Sequence, residues 1–241
     1  MRKILFLISV LATFFFLASC ASTPDVPKPT NYQVHSEFYG ENAPVSILVM
    51  PPINKTDNVE AKDYFYYTLS PFLSNDGFYV FPPILMMQML QEESAYDSEV
   101  FIGKDLSAFS DLFGADLLLF TTIKEWNRNV LLNKITVGIE YEIRSTRTAA
   151  TLFKRSGTFT YDTNTNSYGG SLVVMIINKI MSHINAAVTS YERVGESCNY
   201  YFLSGRLPKG KYHPNHGLDG ENEAFGLGEE VNLTGTTLRG Y

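Results

Sequence analysis

The chain has 241 residues, 45% of them hydrophobic, with 19 basic and 25 acidic side chains and a net charge of −6. That length and apolar content suffice for one core of ordinary domain size. The negative field opposes binding to nucleic acid, so none is expected as a partner, and it opposes attachment to an anionic membrane surface by charge.

The first residues read as an export signal. Arg2 and Lys3 form a positive head, and Ile4 to Leu17 is an almost unbroken apolar run, too short for a spanning helix. The run ends in Leu17-Ala18-Ser19-Cys20. Small residues at 18 and 19 fit a narrow peptidase groove, Leu17 fills the hydrophobic subsite before them, and the Cys20 thiol can take a diacylglyceryl thioether. Residues 1–19 are therefore expected to be a lipoprotein signal peptide, with lipid attachment at Cys20. Ala21 follows, and no aspartate stands there to retain the chain at the inner membrane; this likeness to lipoprotein sorting signals implies the outer membrane, on its periplasmic face. Removal of Arg2 and Lys3 leaves 17 basic against 25 acidic residues, a net charge near −8. The anchor must then be lipid, at about 0.8 kcal/mol per buried methylene.

Cys198 is the other cysteine. With Cys20 lipidated it has no partner within the chain, which leaves a buried small hydrophobe, an intermolecular disulfide or a reactive thiol.

Residues 20–44 read as the lipidated cysteine and a tether, because Pro24, Pro27, Pro29 and Pro44 break any helix and apolar periodicity is absent. A globular domain is expected over 45–194. Val45 to Met50 is a continuous apolar run stopped by Pro51-Pro52, the pattern of a strand buried on both faces. A helix follows over 60–75, with Tyr64, Phe65, Thr68, Leu69, Phe72 and Leu73 spaced along one apolar face and Asn75-Asp76-Gly77 as its stop. Phe78 to Phe81 is a short strand, and Pro83 suits the first turn of a helix over 84–91. Asp105 can cap a short helix ending at Gly114. Asp116 to Trp126 reads as a buried strand, with a turn at Asn127-Arg128-Asn129. Ile135, Val137, Ile139, Tyr141 and Ile143 then alternate with polar residues, a strand with one wet face. Thr151 to Tyr161 runs back as a fifth strand, and Leu172 to Tyr191 reads as a helix. The expected fold is α/β: one mixed five-stranded sheet with flanking helices, right-handed crossovers in its first part and a meander in its last. Residues 195–241 are expected to be an extension, with Gly220 to Tyr241 too poor in apolar surface to stay ordered.

Ile47-Leu48-Val49-Met50-Pro51-Pro52 with Asn54, then Gly77-Phe78-Tyr79-Val80-Phe81-Pro82, then Gly114-Ala115-Asp116 carry a resemblance. In that order, behind the cysteine at 20, they resemble the bacterial lipoprotein family catalogued as domain of unknown function seven-nine-nine. The resemblance implies a fold like the amino-terminal domain of TolB. It also implies association with CsgG-like secretion lipoproteins of the envelope, and it carries over no catalytic residue.

Candidate chemistry is sparse. Gly205 to Lys211 has the spacing of a phosphate-binding loop, but Tyr212 stands where a small hydroxyl must hold magnesium and Pro214 blocks the following helix. His213 and His216, near Asp219 and Glu221, are metal-ligand types in a glycine-flanked setting that reads as flexible, with no rigid helix to fix the imidazoles. His183 falls on the last expected helix, where a satisfied histidine is the ordinary outcome. No enzyme motif and no cofactor site emerges. Tyr64, Phe65, Tyr66 and Tyr67 sweep the circumference of the first helix, and two readings stand: a thick core with one exposed ring, or an interface. Helical geometry puts Phe65 in the core, Tyr64 and Tyr67 beside it, and Tyr66 furthest outside. The sequence thus leads to a non-enzymatic, self-associating envelope module, with Tyr64, Tyr66 and Tyr67 as interface candidates; the alternative is a small-molecule or metal-binding lipoprotein.

Overall fold

A computed structural model describes residues 27–162 and 191–235. In chain order these form α1 (Asn31–Val34), a 3-10 turn (Ser36–Phe38), β1 (Ser46–Val49), β2 (Ile53–Asn54), α2 (Ala61–Asn75), β3 (Tyr79–Val80), α3 (Pro83–Glu92), a second 3-10 turn (Ser98–Phe101), α4 (Ser107–Phe113), β4 (Leu117–Asn129), β5 (Lys134–Ser145), β6 (Thr151–Asp162), α5 (Tyr191–Leu203) and β7 (Leu227–Gly235). The strands make one mixed sheet in the order β3-β1-β4-β5-β6-β7, with β2 also on β4. β1 lies parallel to β3 and β4, β4-β5-β6 form an antiparallel meander, and β7 runs parallel to β6. The fold is α/β, and the parallel part and the meander stand where the sequence pattern puts them.

Both faces of β1 are buried because helices cover both. Ile47 and Val49 face α2 and α5, while Leu48 and Met50 face α3 and α4. On the first face Phe65, Leu69 and Leu73 of α2 and Val194, Cys198 and Phe202 of α5 pack on Ile139, Tyr141, Ile143, Phe153 and Phe159. Cys198 is fully buried in this layer and desolvation pushes its thiol pKa up, so it is a core residue rather than a reactive one.

The residues that carry the family resemblance hold the sheet together. The Asp116 carboxylate accepts from Val45 N–H, Ser46 N–H and Ser46 Oγ, which pins the start of β1 to the start of β4. Gly114 ends α4 at φ 70°, a left-handed cap. Asn54 Oδ1 accepts from Thr56, closing the turn after β2. Gly77 has φ 90°, and a Cβ there would sit 2.3 Å from His213 N, so only glycine fits.

Several expectations are corrected. Among the described residues the sheet has seven strands rather than five: β2 is too short for a periodicity signal, and β7 draws its order from pairing with β6 rather than from its own apolar content. Val231 and Leu233 of β7 also pack against the core, so the sequence from Gly220 to Gly235 is ordered instead of mobile. The tether is shorter than 20–44. Thr30 bridges Glu223, His35 Nδ1 is 2.9 Å from Leu152 O, and Phe38 lies in the core, so the folded part begins well before Val45. The turn expected at Asn127–Asn129 is strand, with the chain reversing over 130–133 instead. The helix expected over Leu172 to Tyr191, with His183 on it, falls outside the described residues apart from Tyr191, the first residue of α5, as do Cys20 and the signal peptide. Among the described residues no helix is long and apolar enough to cross a membrane.

Candidate functional site

The structure sorts the four consecutive aromatics of α2 differently from an isolated helix. Phe65 is buried against the sheet, as its spacing with Leu69 demands. Tyr66 is also buried, contrary to the expectation that it points furthest outside: the first turn of α3 lies over it, and its hydroxyl donates to Pro83 O at 2.9 Å. Burial pushes its phenol pKa far up, with the neighbouring Tyr67 adding to the shift. Two layers of neighbours, the sheet on one side and α3 on the other, leave α2 with less wet circumference than a single-core reading assumes. Among the described side chains of this run, Tyr67 is the exposed ring, 46% accessible and edge-on to Tyr66 at 5.3 Å. Pro71, four residues on, has no N–H to give the Tyr67 carbonyl. The side chain of Tyr64 lies outside the described residues.

Beside Tyr67 the chain turns the edge of the sheet. Val80 packs into the α2 layer, while Tyr79 and Phe81 face the other way with their rings 5.2 Å apart. Pro83 opens α3; Met86 and Leu90 point into the second core layer, and Ile84 and Leu85 point out. Chain continuity and the Tyr66–Pro83 hydrogen bond therefore gather Tyr67, Tyr79, Phe81, Ile84 and Leu85 around β3. Ile84 is 76% exposed. Among the described residues β3 pairs only with β1, so this apolar corner flanks a sheet edge. Apolar patches of a few hundred Å² around tyrosine are the surfaces proteins use to bind one another. Sequence reasoning singled out none of Tyr79, Ile84 and Leu85 as exposed. The available signal was Ile84-Leu85-Met86-Met87, four consecutive apolar residues opening a helix that can bury only one face.

The open half of the second sheet face is polar. Lys124 reaches Glu140 at 2.8 Å, and Lys154 reaches Glu140 at 3.1 Å and Glu142 at 3.0 Å. Burial works to raise the Glu140 pKa, but the two ammonium groups outweigh it and hold the carboxyl below its usual range. These charges satisfy one another.

The His213/His216 segment is neither flexible nor arranged for a metal. Gly210 N–H donates to Asp76 O and Tyr212 N–H to Gly77 O, which stitches the segment to the end of α2. His213 Nδ1 accepts from Asn215 N–H, while His216 stacks on Tyr39 with Nδ1 2.8 Å from Lys209 O. The loop with phosphate-binding spacing spends its Lys209 on Asp76, at 2.5 Å.

An α/β domain preceded in the sequence by an apolar run that ends at Cys20 has the pattern of an envelope lipoprotein. The family described as "Putative lipoprotein GNA1162-like" matches residues 35–210, and the chain belongs to that family. The lipoprotein resemblance and attachment to the cell envelope are borne out at that level. The chain is 25% identical over 202 residues to "Putative lipoprotein NMB1124/NMB1162" of Neisseria meningitidis serogroup B (strain ATCC BAA-335 / MC58), covering 82% of this chain and 90% of that one. It is similar to the structure of lipoprotein GNA1162 from Neisseria meningitidis, with TM-score 0.45 and 23% identity over 60% of this chain and 99% of the other. A weaker likeness joins it to the PelC dodecamer from Paraburkholderia phytofirmans, with TM-score 0.32 and 12% identity over 63% of this chain and 84% of that one.

Proposed function

We propose that this protein is an outer-membrane lipoprotein, held through Cys20 on the periplasmic face, that works as a non-enzymatic, self-associating assembly module. The observation that carries the reading is the apolar corner of Tyr67, Tyr79, Ile84 and Leu85 at the β3 edge, exposed on a domain whose other open sheet face is closed by its own ion pairs. Family membership supports the lipid anchor, and Ala21 after Cys20 supports the outer membrane. The resemblance to CsgG-associated lipoproteins supports an accessory role beside a secretion lipoprotein of that type. The alternative, a metal-binding lipoprotein built on His213 and His216, loses its support because both imidazoles are engaged within the fold.

Two measurements test the reading. Cys20→Ala is expected to abolish lipid labelling and release the protein from the membrane fraction; partition like wild type would remove the anchor. Crosslinking in intact envelopes followed by pull-down is expected to recover a second copy of the chain and an envelope lipoprotein, both lost in Ile84→Lys. Recovery unchanged in that variant would end the assembly reading.

A further inference from the structure

The segment that leads from Cys20 into the fold is tied to the domain through a buried histidine. His35 is 3% exposed, with the rings of Phe38 and Phe153 beside it at 6.1 and 6.3 Å. Its Nδ1 lies 2.9 Å from Leu152 O and its Nε2 2.5 Å from Phe225 O. Both neighbours are backbone carbonyls, which only accept. A neutral imidazole carries one N–H and one bare lone pair, so it satisfies one carbonyl and sets its lone pair against the other. Turning the ring over removes both contacts, because carbon atoms then face the oxygens. The imidazolium, with a hydrogen on each nitrogen, fits both acceptors at these distances.

The charged groups around the ring leave the decision to the two carbonyls. Glu37 on the histidine's own segment, Glu142 on β5 and Lys154 on β6 line the same cavity as the ring. Lys154 and Glu142 pair at 3.0 Å. Arg155 of β6 and Arg206 stand over the Phe225 ring at 5.8 and 4.1 Å, and Arg155 pairs with Glu229 of β7 at 3.3 Å. Among these described groups the pairs cancel, and the remaining Glu37 and Arg206 are opposite in sign. Neither sign of field dominates, whereas a buried lone pair pressed on a carbonyl oxygen is a lost hydrogen bond and a repulsion together.

We propose that His35 is held as the imidazolium, donating from both ring nitrogens, and acts as an acid-strengthened clasp between the anchor-side segment and the domain. One bond runs to the start of β6 and the other to the lead into β7, so the same proton fastens both. The sign follows from the count of donors. In acid both bonds are made. As pH rises through and above the ordinary imidazole value of about 6.5, loss of the second hydrogen breaks one bond and leaves a repulsion in its place. Freeing Asn31 to Glu37, while Phe38 stays in the core, lengthens the path from Cys20 by up to about 25 Å. That leash rests on the proposed lipid anchor; the clasp does not.

The test uses the full-length protein in detergent. At about pH 7, nitrogen NMR of the imidazoles should show one ring, missing from His35→Gln, that carries a hydrogen on both nitrogens. A single hydrogen on the His35 ring at that pH would overturn the clasp. Protease cleavage between residues 30 and 38 should be about tenfold slower in wild type than in His35→Gln at about pH 6, with the ratio falling to near one at about pH 9. A ratio that is the same at both pH values means that the ring merely packs, and overturns the clasp as well. Should His35→Gln fail to fold, the ring spectrum of the wild type decides alone. The unlipidated Cys20→Ala protein should give the same ring spectrum, so failure of the anchor and failure of the clasp are read separately.

Discussion

On one face of the sheet α2 and α5 cover every strand from β1 to β6, and the layer between is apolar from Ile47 to Phe202. On the other face, among the described residues, α3 and α4 reach Leu48, Met50, Leu118 and Phe120, and beyond them lies the Lys124–Glu140–Lys154–Glu142 ladder. The first face derives its stability from burial, at about 25 cal/mol per Å² removed from water. The second is closed by half-buried ion pairs, and such pairs near the surface contribute about 0–1 kcal/mol each. Between the two lies the β3 corner, where Tyr79, Ile84 and Leu85 belong to neither layer. On the proposed reading, apolar groups in that position serve association rather than folding.

Substitutions can break this comparison in order of size. Gly77→Ala pushes a Cβ into the backbone of His213 and strains a left-handed φ, so a loss of about 3 kcal/mol or more is expected by denaturant unfolding. Leu69→Ala on the covered face should cost about 2–5 kcal/mol, because the site is closed on all sides and cannot collapse. Glu140→Gln on the open face should cost no more than about 1 kcal/mol at neutral pH. Its pH dependence has a definite sign. The Glu140 pKa is lowered in the folded state, so its contribution is present above the ordinary carboxyl value of 4.5 and is lost as pH falls through the lower folded value. The gap between wild type and Glu140→Gln should therefore close in acid; a gap that persists there means the ammonium pairs are not what Glu140 contributes.

How far the sequence foretold this arrangement depended on where the ordering energy comes from. β1, α2, β4, β5 and β6 bury their own periodic side chains, and their patterns located them to within a few residues. β7 and residues 205–224 are ordered by other segments: β7 pairs with β6, Lys209 reaches Asp76, and Tyr39 stacks on His216. Such partners lie far away in the chain, so composition alone made the segment look mobile. The same cause misplaced Tyr66, whose burial comes from α3 rather than from α2's own periodicity. Tyr67 was legible as an interface candidate beside the core stripe, whereas the exposure of Tyr79 and Ile84 was not, because exposure at a sheet edge is set by which strand comes last.

The central claim is that the β3 corner serves association and not stability. It is tested most directly by crosslinking the full-length chain in intact envelopes, comparing wild type with Tyr67→Ser/Ile84→Lys, alongside thermal melts of both proteins. Surface changes of this kind should move stability by no more than about 0.5 kcal/mol. The prediction is that the crosslinked second copy disappears from the variant while its melting temperature stays at the wild-type value. A variant that melts like wild type and still crosslinks to the same extent would contradict it.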